Sequence, residues 1–213
     1  MVQIKIFTFN PFYENTYVLW DETKEAIIID PGCYDPEEKA ELRHFIEQEA
    51  LKPVQLINTH AHIDHVLGNA FVAKTWSLEL YMHKADLPTL HSLSNYAHLF
   101  GLNGPEPSPE PSHFLEEGDV VSFGNTELEV LFVPGHAPGH IALVHHEQRF
   151  TIAGDVLFKG SIGRVDLPGG SMEVLLKSIR EKLFPLGDDY LVFPGHGPST
   201  SIREERLHNP FFQ

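Results

Sequence analysis

Four side chains that can bind metal lie within six positions of one another, at His60, His62, Asp64 and His65. They directly follow the apolar run 55–57, where a buried strand is predicted to give way to a loop. A single histidine at a strand end is usually a structural residue, but four such groups on one loop can direct several lone pairs at one point. The spacing therefore predicts a metal site on this loop.

Three later turns repeat the same arrangement. His136, Asp155 and His196 each follow an apolar run, and each is preceded by a glycine, which permits a tight turn at the strand end. Seven candidate ligands are too many for one tetrahedral ion, but they fit two ions that share a carboxylate. We therefore expect two divalent ions roughly 3.5–4 Å apart. Zinc is the first candidate, with iron and manganese as alternatives, because the affinity order alone does not choose among them at a mixed His/Asp site.

Short apolar runs rich in β-branched residues recur along the chain and predict buried strands that would carry these loops. They comprise residues 17–19, 26–29, 54–57, 78–82, 128–133, 141–144, 150–153 and 190–193. Because helical segments interrupt the strands, the chain is predicted to have an α/β fold in which helices cover the sheets.

Three segments are predicted to be helical. The first begins after Asp35, with proline at its first position and Glu38 at the spacing of a capping box. The second begins after Ser171, and Pro185 ends its pattern. The third is predicted to open near Asp64 and to run through Val66, Ala70 and Phe71.

The composition indicates a soluble protein of the cytoplasm. The formal net charge is −15, which argues against a nucleic-acid or anionic-membrane surface. The single cysteine, Cys33, has no intramolecular partner, which favours a reducing compartment, and neither a signal-peptide pattern nor an 18-residue apolar stretch is present. No change in composition divides the chain, so residues 1–213 are predicted to form one domain. The proline-rich residues 104–111 are expected to be a surface loop within it.

The complete set of motifs resembles the metallo-β-lactamase superfamily and, within it, the glyoxalase II-like hydrolases. The resemblance extends from residues 14–17 and the 30–32 turn to residues 205–211. It implies an αββα sandwich, in which two mixed β-sheets are flanked by helices, with the site along one edge of both sheets. It also implies two metal ions, the first held by His60, His62 and His136, the second by Asp64, His65 and His196, with Asp155 bridging them.

The same resemblance implies a metal-dependent thioester hydrolase that acts on S-lactoylglutathione or related acyl thioesters. Its nucleophile would be a hydroxide bridging the two ions, and Asp64 or metal-bound water would return the proton to the leaving group. Arg164 would contact an anionic part of this small-molecule substrate. Asp166 and Pro198 stand where related enzymes have tyrosines that contact glutathione, and the helical C-terminal extension of longer relatives is missing. We therefore expect that hydrolysis depends only weakly on the glutathione part of the substrate.

Other functions stay open at this point. A persulfide dioxygenase of the same superfamily has the same ligand types and uses one iron, and its loop resembles the segment from Gly163 to Asp166 here. A β-lactamase is less favoured, because those enzymes typically have a cysteine at the position of Asp155. A non-catalytic metal-binding module is a third alternative. Asp30 is interpreted either as a partner of a ligand histidine or as a plain turn residue, and His140 as a structural residue.

Overall fold

Two six-stranded β-sheets form the centre of the computed structural model, which describes residues 1–102 and 105–213. The first sheet contains β1 (Gln3–Phe9), β2 (Glu14–Trp20), β3 (Glu25–Ile29), β4 (Lys52–Ile57), β5 (Leu80–Met82) and β6 (His113–Phe114), in that spatial order. The second contains β7 (Val120–Phe123), β8 (Thr126–Phe132), β9 (Ile141–His145), β10 (Phe150–Gly154), β13 (Leu191–Pro194) and β14 (Thr200–Ser201). A separate hairpin consists of β11 (Leu157–Phe158) and β12 (Ser161–Ile162).

Both sheets are mixed, as predicted. In the first sheet β1, β2 and β3 are antiparallel, whereas β3, β4, β5 and β6 run parallel. In the second sheet β7 to β10 are antiparallel, and β13 runs parallel to β10. All eight predicted strand segments overlap observed strands. Because parallel neighbours end at the same edge of a sheet, the loops after β3 and β4 lie side by side, as do those after β10 and β13.

Alternating side chains divide the core into three layers. The layer between the sheets includes Tyr17, Leu19, Ile27, Val130 and Ile152. The outer face of the first sheet packs against α1 (Pro36–Gln48), α3 (Asn69–Trp76) and α4 (Leu87–Tyr96), whereas that of the second sheet packs against α5 (Met172–Ser178). The order of layers is therefore helix, sheet, sheet, helix, which is the predicted αββα sandwich.

The first two predicted helices are confirmed. In α1 the Asp35 side chain accepts a hydrogen bond from the backbone of Glu38, and the Glu38 side chain accepts one in return, which completes the capping box. Ser171 caps α5, which is followed by a π-helical turn at 179–183 and a 3-10 turn at 184–186 that contains Pro185.

The third predicted helix is interrupted, so the prediction of a single helix here was wrong. It consists of α2 (Ile63–Val66) and α3, and Gly68 lies between them. The backbone N–H of Gly68 donates to the carbonyl of Pro31 over 2.7 Å, and a Cβ at Gly68 would lie 2.5 Å from Cys33 Sγ. The turn after β3 thus takes the N–H of Gly68 that a regular helix would direct to the carbonyl of Asp64, which accepts from Asn10 instead.

Two helices of the described chain were not predicted, namely α4 and α6 (Ile202–His208). Residues 105–111 form neither helix nor strand, and Gly104, which begins the predicted surface loop, lies outside the described residues. Within the described ranges, no helix is long and apolar enough to cross a bilayer.

Candidate metal centre

The seven predicted ligands lie together at the edge where β4, β8, β10 and β13 end. The potential ligand atoms of His60, His62 and His136 lie within 4.8 Å of one another, and those of Asp64, His65 and His196 form a second such group. Asp155 lies between them, with Oδ2 3.5 Å from His136 Nε2 and 3.6 Å from His196 Nε2. The two predicted ligand groups are therefore adjacent, with one carboxylate between them, and a third group of this kind consists of Asp30, His60 and His65.

A single buried carboxylate, that of Asp30, orients the imidazole rings of His65 and His60 from the side away from the other ligands. His65 Nδ1 lies 3.2 Å from Asp30 Oδ2, and the Thr59 hydroxyl donates to the same oxygen over 2.6 Å. The Thr59 oxygen in turn lies 3.0 Å from His60 Nδ1. Of the two interpretations of Asp30, the structure favours the partner of a ligand histidine, since hydrogen bonds of this kind fix the orientation of metal-binding imidazoles.

Backbone carbonyls hold two other rings. His136 Nδ1 donates to the carbonyl of Arg164 over 2.7 Å, and His196 Nδ1 lies 3.1 Å from the carbonyl oxygen of Phe12. Because a carbonyl only accepts, each ring has its proton on Nδ1 and presents an unprotonated Nε2 when neutral. His62 has the opposite orientation, with Nδ1 2.8 Å from His136 Nε2.

Among the seven candidate ligands, three buried atoms lack a hydrogen-bond partner, namely His60 Nε2, His65 Nε2 and Asp155 Oδ1. Buried polar atoms are normally paired. The three unpaired atoms belong to the two ligand groups and to the carboxylate between them, which is the arrangement that divalent cations would satisfy.

Burial keeps the first ligand group in the form that binds metal. Loss of hydration lowers the pKa of His60 well below its ordinary value and lowers that of His62 to about 3. Burial also lowers the pKa of His136. Neutral imidazole is the metal-binding form, so these side chains need not release a proton near neutral pH.

The second group contains ionised acids close to two histidines. Burial raises the pKa of Asp155 and of Asp64, but the interactions with His65 and His196 together outweigh this effect, and both carboxyl pKa values are lowered. Burial lowers the pKa of His65, yet the charges of Asp64 and Asp155 raise it well above its usual range. A largely buried site that concentrates negative charge in this way is chemically suited to cations. The residues present therefore fit two divalent ions.

Two supporting residues lie outside the predicted ligand set. His140, interpreted as structural, accepts a hydrogen bond at Nε2 from the backbone N–H of Asp155 over 3.0 Å, and its ring stacks on that of His60. Asp86, which sequence analysis missed, accepts from the backbone N–H groups of Ala61 and Gly139, each over 2.7 Å. No local pattern marks Asp86, because its partners are distant in sequence.

The loop that carries Arg164 borders this centre. Arg164 donates from Nε and Nη2 to the two carboxylate oxygens of Asp166, over 2.7 and 2.8 Å, and both side chains are exposed. The hydrogen bond from Arg164 is the main cause of the low pKa of Asp166, about 2. Pro198 is exposed after the turn that contains His196. Cys33 is buried, and burial raises the pKa of its thiol to about 12, so this group is not an activated nucleophile.

Known proteins resemble this chain over nearly its full length. Hydroxyacylglutathione hydrolase GloC of Haemophilus influenzae is 37% identical over 211 residues, which cover 99% of this chain and 98% of that protein. The probable metallo-hydrolase YqgX of Bacillus subtilis is 38% identical over 203 residues, 94% of this chain and 93% of that protein.

Solved structures show the same fold. The structure of BLEG-1 B3 metallo-beta-lactamase has a TM-score of 0.90 at 35% identity, covering 99% of this chain and 100% of that one. That of TTHA1623 in a di-iron-bound form has a TM-score of 0.87 at 37% identity, covering 97% of this chain and 99% of that one. The family model described as the metallo-beta-lactamase superfamily matches residues 9–196. The chain therefore belongs to the metallo-β-lactamase superfamily.

Proposed function

We propose that this protein is a metal-dependent thioester hydrolase of glyoxalase II type, acting on S-lactoylglutathione or related acyl thioesters. The observation that carries the proposal is the position of Asp155 between the two ligand groups, 3.5 Å from His136 and 3.6 Å from His196. The full-length similarity to a hydroxyacylglutathione hydrolase supports the same reaction class.

The two ligand groups would each hold one divalent ion. His60, His62 and His136 would bind the first ion, Asp64, His65 and His196 the second, and Asp155 both. When bound, such a pair supplies Lewis acidity and lowers the pKa of coordinated water from near 16 to roughly 7. We propose zinc as the metal, and the di-iron-bound TTHA1623 makes iron the first alternative.

The residues of the chain itself would orient the reacting groups and move the proton. Asp64 is mostly buried, with 14% of its side chain exposed, and its Oδ2 lies 3.1 Å from His196 Nε2. From this position the ionised Asp64 would accept the proton that the attacking water loses and then pass it to the leaving sulfur. A thiol pKa of about 8.5 makes a thiolate a good leaving group, so proton transfer contributes less here than it would for an alcohol.

The backbone contact to His140 would keep the Asp155 carboxylate between the ligand groups, because the donor is the amide of Asp155 itself. Asp86 would hold the loops of His60 and His136 at a fixed separation, because it binds one backbone N–H from each loop. Rigid support of this kind is what precise placement of reacting groups requires.

A substrate panel tests the proposed function. The loaded protein would be assayed for kcat/KM with S-lactoylglutathione, with the lactoyl thioester of N-acetylcysteamine, with glutathione persulfide while oxygen uptake is recorded, and with a chromogenic β-lactam. We expect thioester hydrolysis without oxygen consumption. Oxygen uptake with persulfide and no thioester turnover would instead indicate the dioxygenase, and turnover of the β-lactam alone would indicate a β-lactamase. A loaded protein that turns over none of the four would support a binding module.

A further inference from the structure

The segment from Gly163 to Asp166 is fixed against the candidate metal centre. A Cβ at Gly163 would lie 1.9 Å from the carbonyl oxygen of Asp155 and 2.9 Å from His136 Nδ1, so only glycine fits here. The next carbonyl, that of Arg164, accepts a hydrogen bond from His136. Arg164 therefore lies at the border of the site, and its backbone cannot move away without releasing a candidate ligand.

The guanidinium of Arg164 already binds a carboxylate. Asp166 approaches it with both oxygens, one on Nε and one on Nη2, which is the paired geometry that guanidinium groups form with carboxylates. A substrate carboxylate that reached the same donors would have to displace Asp166. Because Asp166 is attached two residues away, its effective concentration at Arg164 is high and an external carboxylate competes poorly.

The loop offers little other positive charge. Between residues 157 and 166 the cationic side chains are Lys159 and Arg164. Arg164 is the one whose backbone contacts His136, and Asp166 neutralises its charge. The protein as a whole has a net charge of −15, so it does not attract anions from a distance.

We infer that Asp166 is a specificity-determining residue that occupies Arg164 as an internal carboxylate and so favours acyl thioesters whose thiol has no carboxylate. This inference rests on the proposed thioesterase function and specifies its substrate class. Glutathione, which has carboxylates, would then be a tolerated leaving group rather than a selected one.

The experiment measures a selectivity ratio, kcat/KM for S-lactoylglutathione divided by kcat/KM for the lactoyl thioester of N-acetylcysteamine. Asp166→Asn should raise this ratio about three- to fivefold, mainly through a lower KM for the glutathione substrate, because Arg164 becomes available to a substrate carboxylate. The double variant with Arg164→Gln should show no such increase, because no guanidinium is then left to bind the substrate.

Asp188→Asn is the matched control. Asp188 is also exposed and paired with an arginine, Arg206, but it lies before the start of β13, whereas His196 follows the end of that strand. Its replacement removes the same charge and should leave both activity and selectivity unchanged. If Asp188→Asn raised the ratio as much as Asp166→Asn, the effect would be one of net charge and the inference would be wrong.

Binding of free glutathione, measured by calorimetry, gives a second readout that needs no turnover. Asp166→Asn should lower its Kd by about the same factor as the kinetic ratio changes. Wild-type thioester turnover with an unchanged ratio and an unchanged glutathione Kd in Asp166→Asn would overturn this inference alone. Absence of thioester turnover in the loaded wild type would overturn the proposed function and this inference with it.

Discussion

At the metal centre, single side chains act on more than one ligand at a time. Asp30 contacts His65 directly and reaches His60 through the hydroxyl of Thr59, so one carboxylate supports a member of each ligand group. Asp30 also has a left-handed backbone conformation, with φ of 48°, which non-glycine residues seldom adopt. The strain at this residue is explained if its carboxylate is needed where it is.

Asp30→Asn should therefore lower the affinity of the protein for both ions. The amide keeps the size of the side chain but loses the charge that orients the rings, and loss of such partners typically lowers metal affinity about 10- to 100-fold. Zinc affinity, measured by competition with a chromophoric chelator, checks this expectation, with Asp188→Asn as the surface control. An affinity equal to that of the wild type would show that Asp30 is only a turn residue.

Asp155→Ala and Asp64→Asn should differ in how many metal ions they lose. Asp155 lies between them, so its truncation should reduce metal content at both positions and abolish activity, because the two cations would then repel each other across a short gap. Asp64 belongs to one group, so Asp64→Asn should lose about one ion per chain. Elemental analysis of the purified variants distinguishes these outcomes. Normal metal content and turnover in Asp155→Ala would contradict its bridging role.

At the scale of elements, strand ends position the site, and this part was predictable. The last residues of β3, β4, β10 and β13 are buried, and the loops that follow them contain Asp30 or the candidate ligands. Helix α4 was also predictable from the sequence, although it was not predicted. Leu87, Leu90 and Leu93 have helical spacing, and Pro88 suits a first turn.

Other features depend on contacts that no local pattern encodes. The break at Gly68 depends on Pro31 and Cys33 on another loop, and the position of Asp86 depends on partners 25 and 53 residues away. Likewise, the sequence identifies Arg164 as a cation beside the site but does not show that Asp166 occupies it.

Asp86→Ala should destabilise the fold and loosen the site together. It leaves two buried N–H groups without an acceptor, at Ala61 and Gly139, and each such loss costs about 1–3 kcal/mol, so the free energy of unfolding should fall by roughly 2–6 kcal/mol. Urea denaturation of the metal-free protein measures this change. Asp188→Ala removes an exposed ion pair and should cost less than about 1 kcal/mol. Equal effects of the two substitutions would contradict the role given to Asp86.

At the scale of the whole molecule, the two sheets are also joined at the edge away from the site. Asp21, after β2, accepts hydrogen bonds from Thr23 in its own turn, from the backbone of Asn125 in the turn between β7 and β8, and from the hydroxyl of Thr126 at the start of β8. Burial alone would raise the pKa of Asp21, but these hydrogen bonds together lower it below its ordinary value. Ionised Asp21 therefore helps to hold the sandwich together.

This contact gives the stability a defined pH dependence. Because the pKa of Asp21 is lower in the fold than in the unfolded chain, its contribution is complete above the unfolded value of about 3.9 and disappears as the pH falls through the lower folded value. Asp21→Asn should thus lower the free energy of unfolding by about 1–3 kcal/mol above pH 5, with the difference shrinking below pH 4. Urea titrations of both proteins from pH 2 to 7 check this. A difference that grows toward low pH would have the wrong sign.

Under the proposed function, hydrolysis by this protein requires two ions in one shared site. Metal-free protein would be titrated with zinc and, in separate samples without oxygen, with ferrous iron, while bound ions per chain and thioester hydrolysis are measured in the same samples. We expect that hydrolysis of S-lactoylglutathione or its N-acetylcysteamine analogue reaches its maximum at two ions per chain and is lost in Asp155→Ala. Full hydrolytic activity at one ion per chain, or no thioester turnover at two, would contradict this expectation.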